Sequence, residues 1–353
     1  MITRLFFALA CLGLVPAVNA AELLKPKVVI VTMFDPGTTA GPPGERRLWI
    51  EREHLDRTLP LPAALHDLRA NADGSLVAVL TGVGNTNAAA ALMALGLDPR
   101  FDLTRTYWLI AGIAGIDPAD GSLGSAVWAD WVVDGNLAHE IDAREIPAEW
   151  PTGIFPLGKN RPYESPRTPD EPADGIVYAL EPGLVRWAYE LTRDAPLMDS
   201  AAMRRRRAKY TGFPAAQRPP SVLVGANLAS STYWVGALLS RWANGWVNYH
   251  TDGRANYVTT AMEDSGTLRA LTNLGRAGRV DARRVLVLRT ASDFDQPWPG
   301  TTAADGLNGD VDGMYPAYLP AIEAAYLVGS RVAHALITNW DRYATALPAP
   351  ATK

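Results

Sequence analysis

Two acidic residues, Glu263 and Asp293, stand thirty positions apart, and each follows an apolar run of strand character. The first ends Tyr257-Val-Thr-Thr-Ala-Met-Glu263, the second Val285-Leu-Val-Leu-Arg-Thr-Ala-Ser-Asp293. Ligands of open α/β sheets bind at the carboxyl ends of strands. One carboxylate placed there can grip a vicinal diol, and the other can lend or take a proton. That pairing suits a nucleoside. Taken singly, either acid also fits a surface position or a helix N-cap.

The elements that must hold these acids alternate between strand and helix. Short continuous apolar runs predict buried strands at 27–34, 76–80, 107–111, 125–133, 221–225 and 285–288. Helices are expected over 45–55, 88–97, 181–193, 199–209, 232–244, 262–275 and 319–347. Pro182 stands at a first-turn position, where its missing N–H costs nothing. The alternation argues for one α/β domain. Residues 142–220 break the pattern: seven prolines fall between Pro147 and Pro172, and the stretch reads as an insertion.

Two small-residue turns could admit a ligand. Thr81-Gly82-Val83-Gly84-Asn85 joins a strand to a helix, which makes a pocket of backbone N–H groups for an anion. It lacks the third glycine of a dinucleotide fingerprint and the Gly-Lys-Ser/Thr of a P-loop. Ala111-Gly112-Ile-Ala-Gly115 is a second strand end where a ligand or backbone can approach closely. Both turns equally fit tight strand–helix packing.

Longer segments carry a family resemblance. They are Met33-Phe34, Thr81-Gly-Val-Gly-Asn-Thr-Asn-Ala88, Phe101-Asp-Leu-Thr-Arg-Thr-Tyr107, Leu109-Ile-Ala-Gly-Ile-Ala-Gly-Ile-Asp117, Glu140-Ile-Asp-Ala-Arg-Glu-Ile-Pro147 and Arg289-Thr-Ala-Ser-Asp-Phe-Asp295. Through them the chain resembles the purine nucleoside permease family, itself similar to nucleoside phosphorylases and nucleosidases. The resemblance implies a three-layer α/β/α nucleoside phosphorylase-like domain over 21–353, with a central mixed, mostly parallel sheet. It implies that Met262 and Glu263 hold the ribose, and that Ser292 and Asp293 lie beside the purine, with Asp293 protonating N7. Cleavage needs such an acid because an anionic purine leaves poorly while the sugar gains oxocarbenium character. Phe294, Ser230, Tyr233 and Trp234 are candidates to shape the base pocket; ordinary core aromatics would look the same. Gly82, Gly84, Ala111 and Gly112 are candidates for the anion or nucleophile pocket. Similar folds are often trimers or hexamers, so a homo-oligomer is compatible.

The sequence departs from the phosphorylases where phosphate binds. Positions that carry arginine and serine there correspond to Ile110 and Ile113, and isoleucine offers a dianion no charge-assisted donor. Arg46, Arg47 and Arg289 are the available substitutes. The similar nucleosidases use a glutamate after the first strand to activate water, a role that falls to Glu45. Water is therefore the expected nucleophile, and the expected activity is nucleoside N-glycosidase. The alternative is a non-catalytic nucleoside-binding component that serves a membrane transporter.

Composition narrows the remaining classes. The 353 residues are 48% hydrophobic and 20% charged, with formal charge −4, so no basic field recruits nucleic acid. The run Arg204–Arg207 spreads around a helix instead of forming one face, and no nucleic-acid motif accompanies it. Met1-Ile-Thr-Arg4, the apolar Leu5–Val15 and Val18-Asn19-Ala20 read as a signal peptide cut after Ala20, which predicts export to a periplasmic or extracellular location. No later run is long enough for a membrane span. Cys11 is the only cysteine and falls inside that leader, so the mature chain has no disulfide or thiol nucleophile. Asn308–Gly313 opens like a calcium loop but lacks the closing glutamate, and the five histidines form no ligand pattern. No metal or cofactor is expected.

Overall fold

The computed structural model describes residues 23–36, 42–165, 175–307 and 315–350. The leader expected at 1–20 and the 308–313 segment lie outside the described residues, as does part of the proline-rich stretch. In chain order the elements are β1 (Val28–Thr32), α1 (Arg47–Arg52), β2 (Arg57–Leu59), β3 (Leu68–Ala70), β4 (Leu76–Leu80), α2 (Asn85–Leu97), β5 (Tyr107–Ile116), β6 (Ala126–Asp134), β7 (Ala138–Glu140) and β8 (Ile154–Pro156). There follow β9 (Val177–Ala179), α3 (Pro182–Thr192), α4 (Ala201–Arg207), β10 (Val222–Ala229), α5 (Ala237–His250), β11 (Tyr257–Ala261), α6 (Asp264–Arg276), β12 (Val285–Phe294), α7 (Ala303–Leu307), α8 (Tyr318–Thr338) and α9 (Trp340–Tyr343).

The apolar runs form one mixed sheet in the order β11-β10-β6-β12-β5-β1-β4-β3-β2. Every residue of β1, β4 and β12 is buried, as expected of strands covered on both faces. Parallel ladders join β12, β5, β1 and β4, while β12 runs antiparallel to β6. The sheet also closes on itself: β11 pairs with β10 and, through Thr259↔Ile116 and Thr260↔Gly115, with the far end of β5. That closure joins β5, β12, β6, β10 and β11 into a ring and brings the ends of β11 and β12 around the end of β5. Helices pack against both faces in a three-layer α/β/α arrangement. On α2, Gly96 lets Leu274 of α6 approach so closely that a Cβ would meet it at 2.2 Å.

Local differences from the sequence reading have local causes. The expected helix from Thr232 begins only at Ala237, because Ser230 Oγ accepts from Thr232 N and Gly236 has φ +144°. The expected helix over 319–347 breaks at Asn339 into α8 and α9. Within 142–220, β9 pairs antiparallel with β6 and Trp128 Nε1 donates to Thr192 of α3 at 2.9 Å, so this stretch is stitched to the sheet. Its strands have three residues each, too short for a periodic signal.

Candidate active site

The ends of β5, β11 and β12 open into a cavity of about 410 Å³, within the range of small-molecule sites. Its lining includes Glu45, Met262, Glu263, Arg289, Ser292 and Asp293. The two acids that the sequence singles out therefore face one space, and Glu45 joins them.

Asp293 reaches the cavity through a bulge. The β12–β5 register runs Ala291↔Ala114 and then Asp293↔Gly115, leaving Ser292 as the extra residue. Such bulges re-aim side chains near functional sites. Ser292 Oγ donates to Asp293 Oδ1 at 2.6 Å, and Tyr233 OH donates to Oδ2 at 2.7 Å. Tyr233 OH also lies 2.9 Å from Tyr315 OH. Burial pushes the Asp293 carboxyl up to about 6, against the pull of the Ser292 and Tyr233 hydrogen bonds. A carboxyl at that value exchanges protons near neutrality, as a general acid must.

Glu263 closes the gap between β11 and α6. Its Oε1 accepts from Gly84 N at 3.3 Å and its Oε2 from Met262 N at 3.2 Å. Gly82 and Gly84 have φ +83° and +93°, conformations that a side chain would strain. The turn thus aims its N–H at a carboxylate of the protein, not at an open anion site. Burial pushes Glu263 up to about 7, opposed by Arg289 and assisted by Glu45 and Asp264.

Glu45 folds back onto the end of β1. Met33 N and Phe34 N donate to Oε2 at 2.7 and 3.0 Å, and Ile113 N donates to Oε1 at 2.8 Å. The ten-residue loop before it brings it beside the sheet, since Glu45 N also bonds Phe34 O. Burial raises its pKa, with Arg289 and the three N–H groups holding it back. Gly112 makes the approach feasible: a Cβ there would lie 2.4 Å from Met33 Cε and 2.7 Å from both Glu45 Oε1 and Arg289 Nη1.

Arg289 sits among these acids, 1% exposed. It donates to Asp264 at 2.9 and 2.6 Å, to Glu263 at 3.1 Å and to Ile113 O at 3.1 Å. Burial works against its charge, but Asp264 and Glu263 outweigh that and keep it protonated. Asn227 Nδ2 braces Asp264 at 2.6 Å. The arginine is committed to protein carboxylates. Arg46 turns to Asp67 O and Arg47 to Glu51, and neither lines the cavity.

Phe294, Ser230 and Ala111 are not part of the cavity wall. Phe294 is 5% exposed and stacks on Tyr210 at 4.0 Å, in a separate apolar cluster. Ser230 binds Asn136 Nδ2 and Thr232 N, shaping the turn instead of the base pocket. Ala111 belongs to the main core beside Ile110. Tyr233 lines the cavity, and Trp234 lines a small recess that adjoins it. Sequence reasoning missed Asp264, Asn227, Tyr315 and Tyr318. Asp264 had a usable signal, a second acid in the first turn of a helix.

The sequence matches the purine nucleoside permease family over residues 25–348. The chain belongs to that family. A Schizosaccharomyces pombe protein described as a "probable purine nucleoside permease" is 31% identical over 349 residues, 94% of this chain and 96% of that protein. A purine nucleoside permease of Candida albicans is 28% identical, over 91% of this chain and 77% of its own length. Among solved structures, this family member is similar to the 5'-methylthioadenosine/S-adenosylhomocysteine nucleosidase of Neisseria meningitidis, with TM-score 0.51, 13% identity and coverage of 89% and 100%. It is also similar to futalosine hydrolase of Helicobacter pylori, with TM-score 0.52, 11% identity and coverage of 86% and 97%. The fold is thus nucleoside phosphorylase-like, as the resemblance implied. No helix among the described residues is long and apolar enough to cross a membrane.

Proposed function

We propose that this purine nucleoside permease family member binds purine nucleosides and hydrolyses their N-glycosidic bond, releasing base and sugar. The observation that carries the reading is the meeting of Asp293, Glu263 and Glu45 around one cavity. Glu263 accepts hydrogen bonds from ribose hydroxyls beside Met262. Asp293 gives its proton to purine N7, so the base leaves neutral as the C1'–N9 bond breaks. Glu45 takes a proton from the water whose oxygen bonds to C1'. Water suits this site better than phosphate, because the only cationic side chain among the described residues of the lining is already held by Asp264 and Glu263. The leader predicted from sequence puts this activity outside the cytoplasm.

A second reading draws support from the relatives' names: a non-catalytic component that captures nucleosides for a separate transporter. Incubation with inosine, adenosine and guanosine, with and without phosphate, separates them. Free base without phosphate is the expected result. Nucleoside binding without base release supports the second reading, and release only with phosphate refutes water as nucleophile.

A further inference from the structure

Three separate elements converge on the Asp293 carboxyl. Ser292 comes with the β12 bulge, and Tyr233 comes from the turn between β10 and α5. Tyr315 comes from the turn that opens α8, where Tyr318 N donates to Tyr315 O at 3.0 Å. Tyr233 and Tyr315 both line the cavity together with Asp293. Tyr315 has no part in the hydrolysis described above, yet its hydroxyl stands one hydrogen bond away from the acid.

Counting hydrogens fixes the direction of this chain. An ionised carboxylate only accepts, and a tyrosine hydroxyl has one hydrogen to give. At 2.7 Å, Tyr233 OH gives that hydrogen to Asp293 Oδ2. Its oxygen, 2.9 Å from Tyr315 OH, can then only accept, so Tyr315 is the donor of that pair. With the acid ionised, the chain runs from Tyr315 through Tyr233 to Asp293. Tyr233 is 45% exposed, so water competes for its hydroxyl. A neighbour that donates to the Tyr233 oxygen turns the Tyr233 hydrogen toward the carboxylate and strengthens the second bond. Hydrogen bonds to the charged form favour it against burial, and Tyr233 pulls the Asp293 carboxyl down in this way.

We propose that Tyr315 is a positioning residue for the acid: through Tyr233 it orders the hydroxyl that holds Asp293 Oδ2, and so governs how readily Asp293 parts with its proton. The inference rests on the reading of Asp293 as the acid at N7. Other titratable groups surround the carboxyl. Arg206 and Tyr210 line a small recess with it, Asp295 and its partner Tyr257 lie beside it, and Glu263 lines the main cavity. All of these remain when the two hydroxyls are removed, so a difference from wild type reports the hydroxyls.

The test is kcat for base release from inosine as a function of pH, in wild type, Tyr233→Phe, Tyr315→Phe and the double variant. Phenylalanine keeps each ring and removes its hydroxyl. Activity that needs protonated Asp293 declines in the wild type as pH rises through about 6. Tyr233→Phe removes a hydrogen bond to the carboxylate at a partly exposed position and should raise that midpoint by about one pH unit. Tyr315→Phe should move it the same way by less. The double variant should match Tyr233→Phe, because Tyr315 acts only through Tyr233. Urea unfolding of the same proteins across this pH range follows the Asp293 proton without turnover, and decides the matter for a variant whose kcat is too low to measure. A Tyr315→Phe midpoint equal to that of wild type overturns the inference, even if kcat falls at every pH. So does a double-variant shift equal to the sum of the two single shifts. Either result leaves the hydrolysis reading standing, whereas no base release by the wild-type protein overturns both.

Discussion

Asp293→Asn tests the acid at the base twice over, in catalysis and in stability. In the proposed reaction Asn cannot give N7 a proton, and loss of a positioned general acid costs about 10²–10⁴ in rate, or roughly 3–5 kcal/mol of barrier. Substrate affinity should change little, because the amide keeps the shape between Ser292 and Tyr233. Stability carries an independent sign. The native pKa of about 6 lies above the ordinary value of 3.8, so the native state holds its proton where the unfolded chain has lost it. That stabilisation is complete below about pH 4 and is lost as pH rises through about 6. Between pH 4 and 8 the loss amounts to roughly 2 kcal/mol. Asn does not titrate, so the difference in unfolding free energy between variant and wild type should move by that amount in the variant's favour. Urea unfolding at both pH values, paired with release of base from inosine, measures both effects. An unchanged kcat refutes Asp293 as the acid. Parallel stability–pH curves refute the raised pKa from which its role was argued.

Three further outcomes follow from the same geometry. Glu45→Gln should lower kcat about 10²-fold or more while nucleoside Kd stays within a few-fold, since the amide can still accept from the Met33 or Ile113 N–H. Gly112→Ala places a Cβ against Met33, Glu45 and Arg289; urea unfolding should show a loss of about 1–3 kcal/mol, with kcat falling as Glu45 is displaced. The raised Glu263 pKa makes ribose grip pH-dependent: the carboxylate accepts hydroxyl hydrogen bonds above about 7 and is increasingly protonated below it. Calorimetry with inosine on the Asp293→Asn protein should therefore give a Kd that rises as pH falls from 8 to 6.

What the sequence made legible was whatever leaves a mark within one element. β1, β4 and β12 announce themselves as apolar runs, and Glu263 and Asp293 stand where such runs stop. The closure of β11 onto β5 left no mark, because it consists of backbone pairing between residues more than a hundred positions apart. The same holds for Arg289. It stands just past the expected strand 285–288, and its commitment to Asp264 and Glu263 depends on α6 starting beside β12. Phe294 follows the acid in sequence, and its ring joins the cluster around Tyr210. Asp295, one step further, is back beside the cavity.

The choice between water and phosphate turns on charge, not on shape. Glu45, Glu263 and Asp264 surround one guanidinium, so with all three ionised the floor carries two net negative charges. The raised pKa values of Glu45 and Glu263 are the response to burial in that company. A phosphate dianion brought to about 4 Å from one more carboxylate meets a repulsion of roughly 8 kcal/mol at an effective dielectric constant near 20. It also finds no free guanidinium among the described residues of the lining to repay it. Protonating both glutamates would relieve the repulsion, but it would also remove the ribose acceptor and the base that the reaction needs. Water carries no charge into the site, and a developing oxocarbenium gains from the same carboxylates that repel phosphate. An acidic floor thus disfavours one nucleophile and favours the cationic transition state of the other.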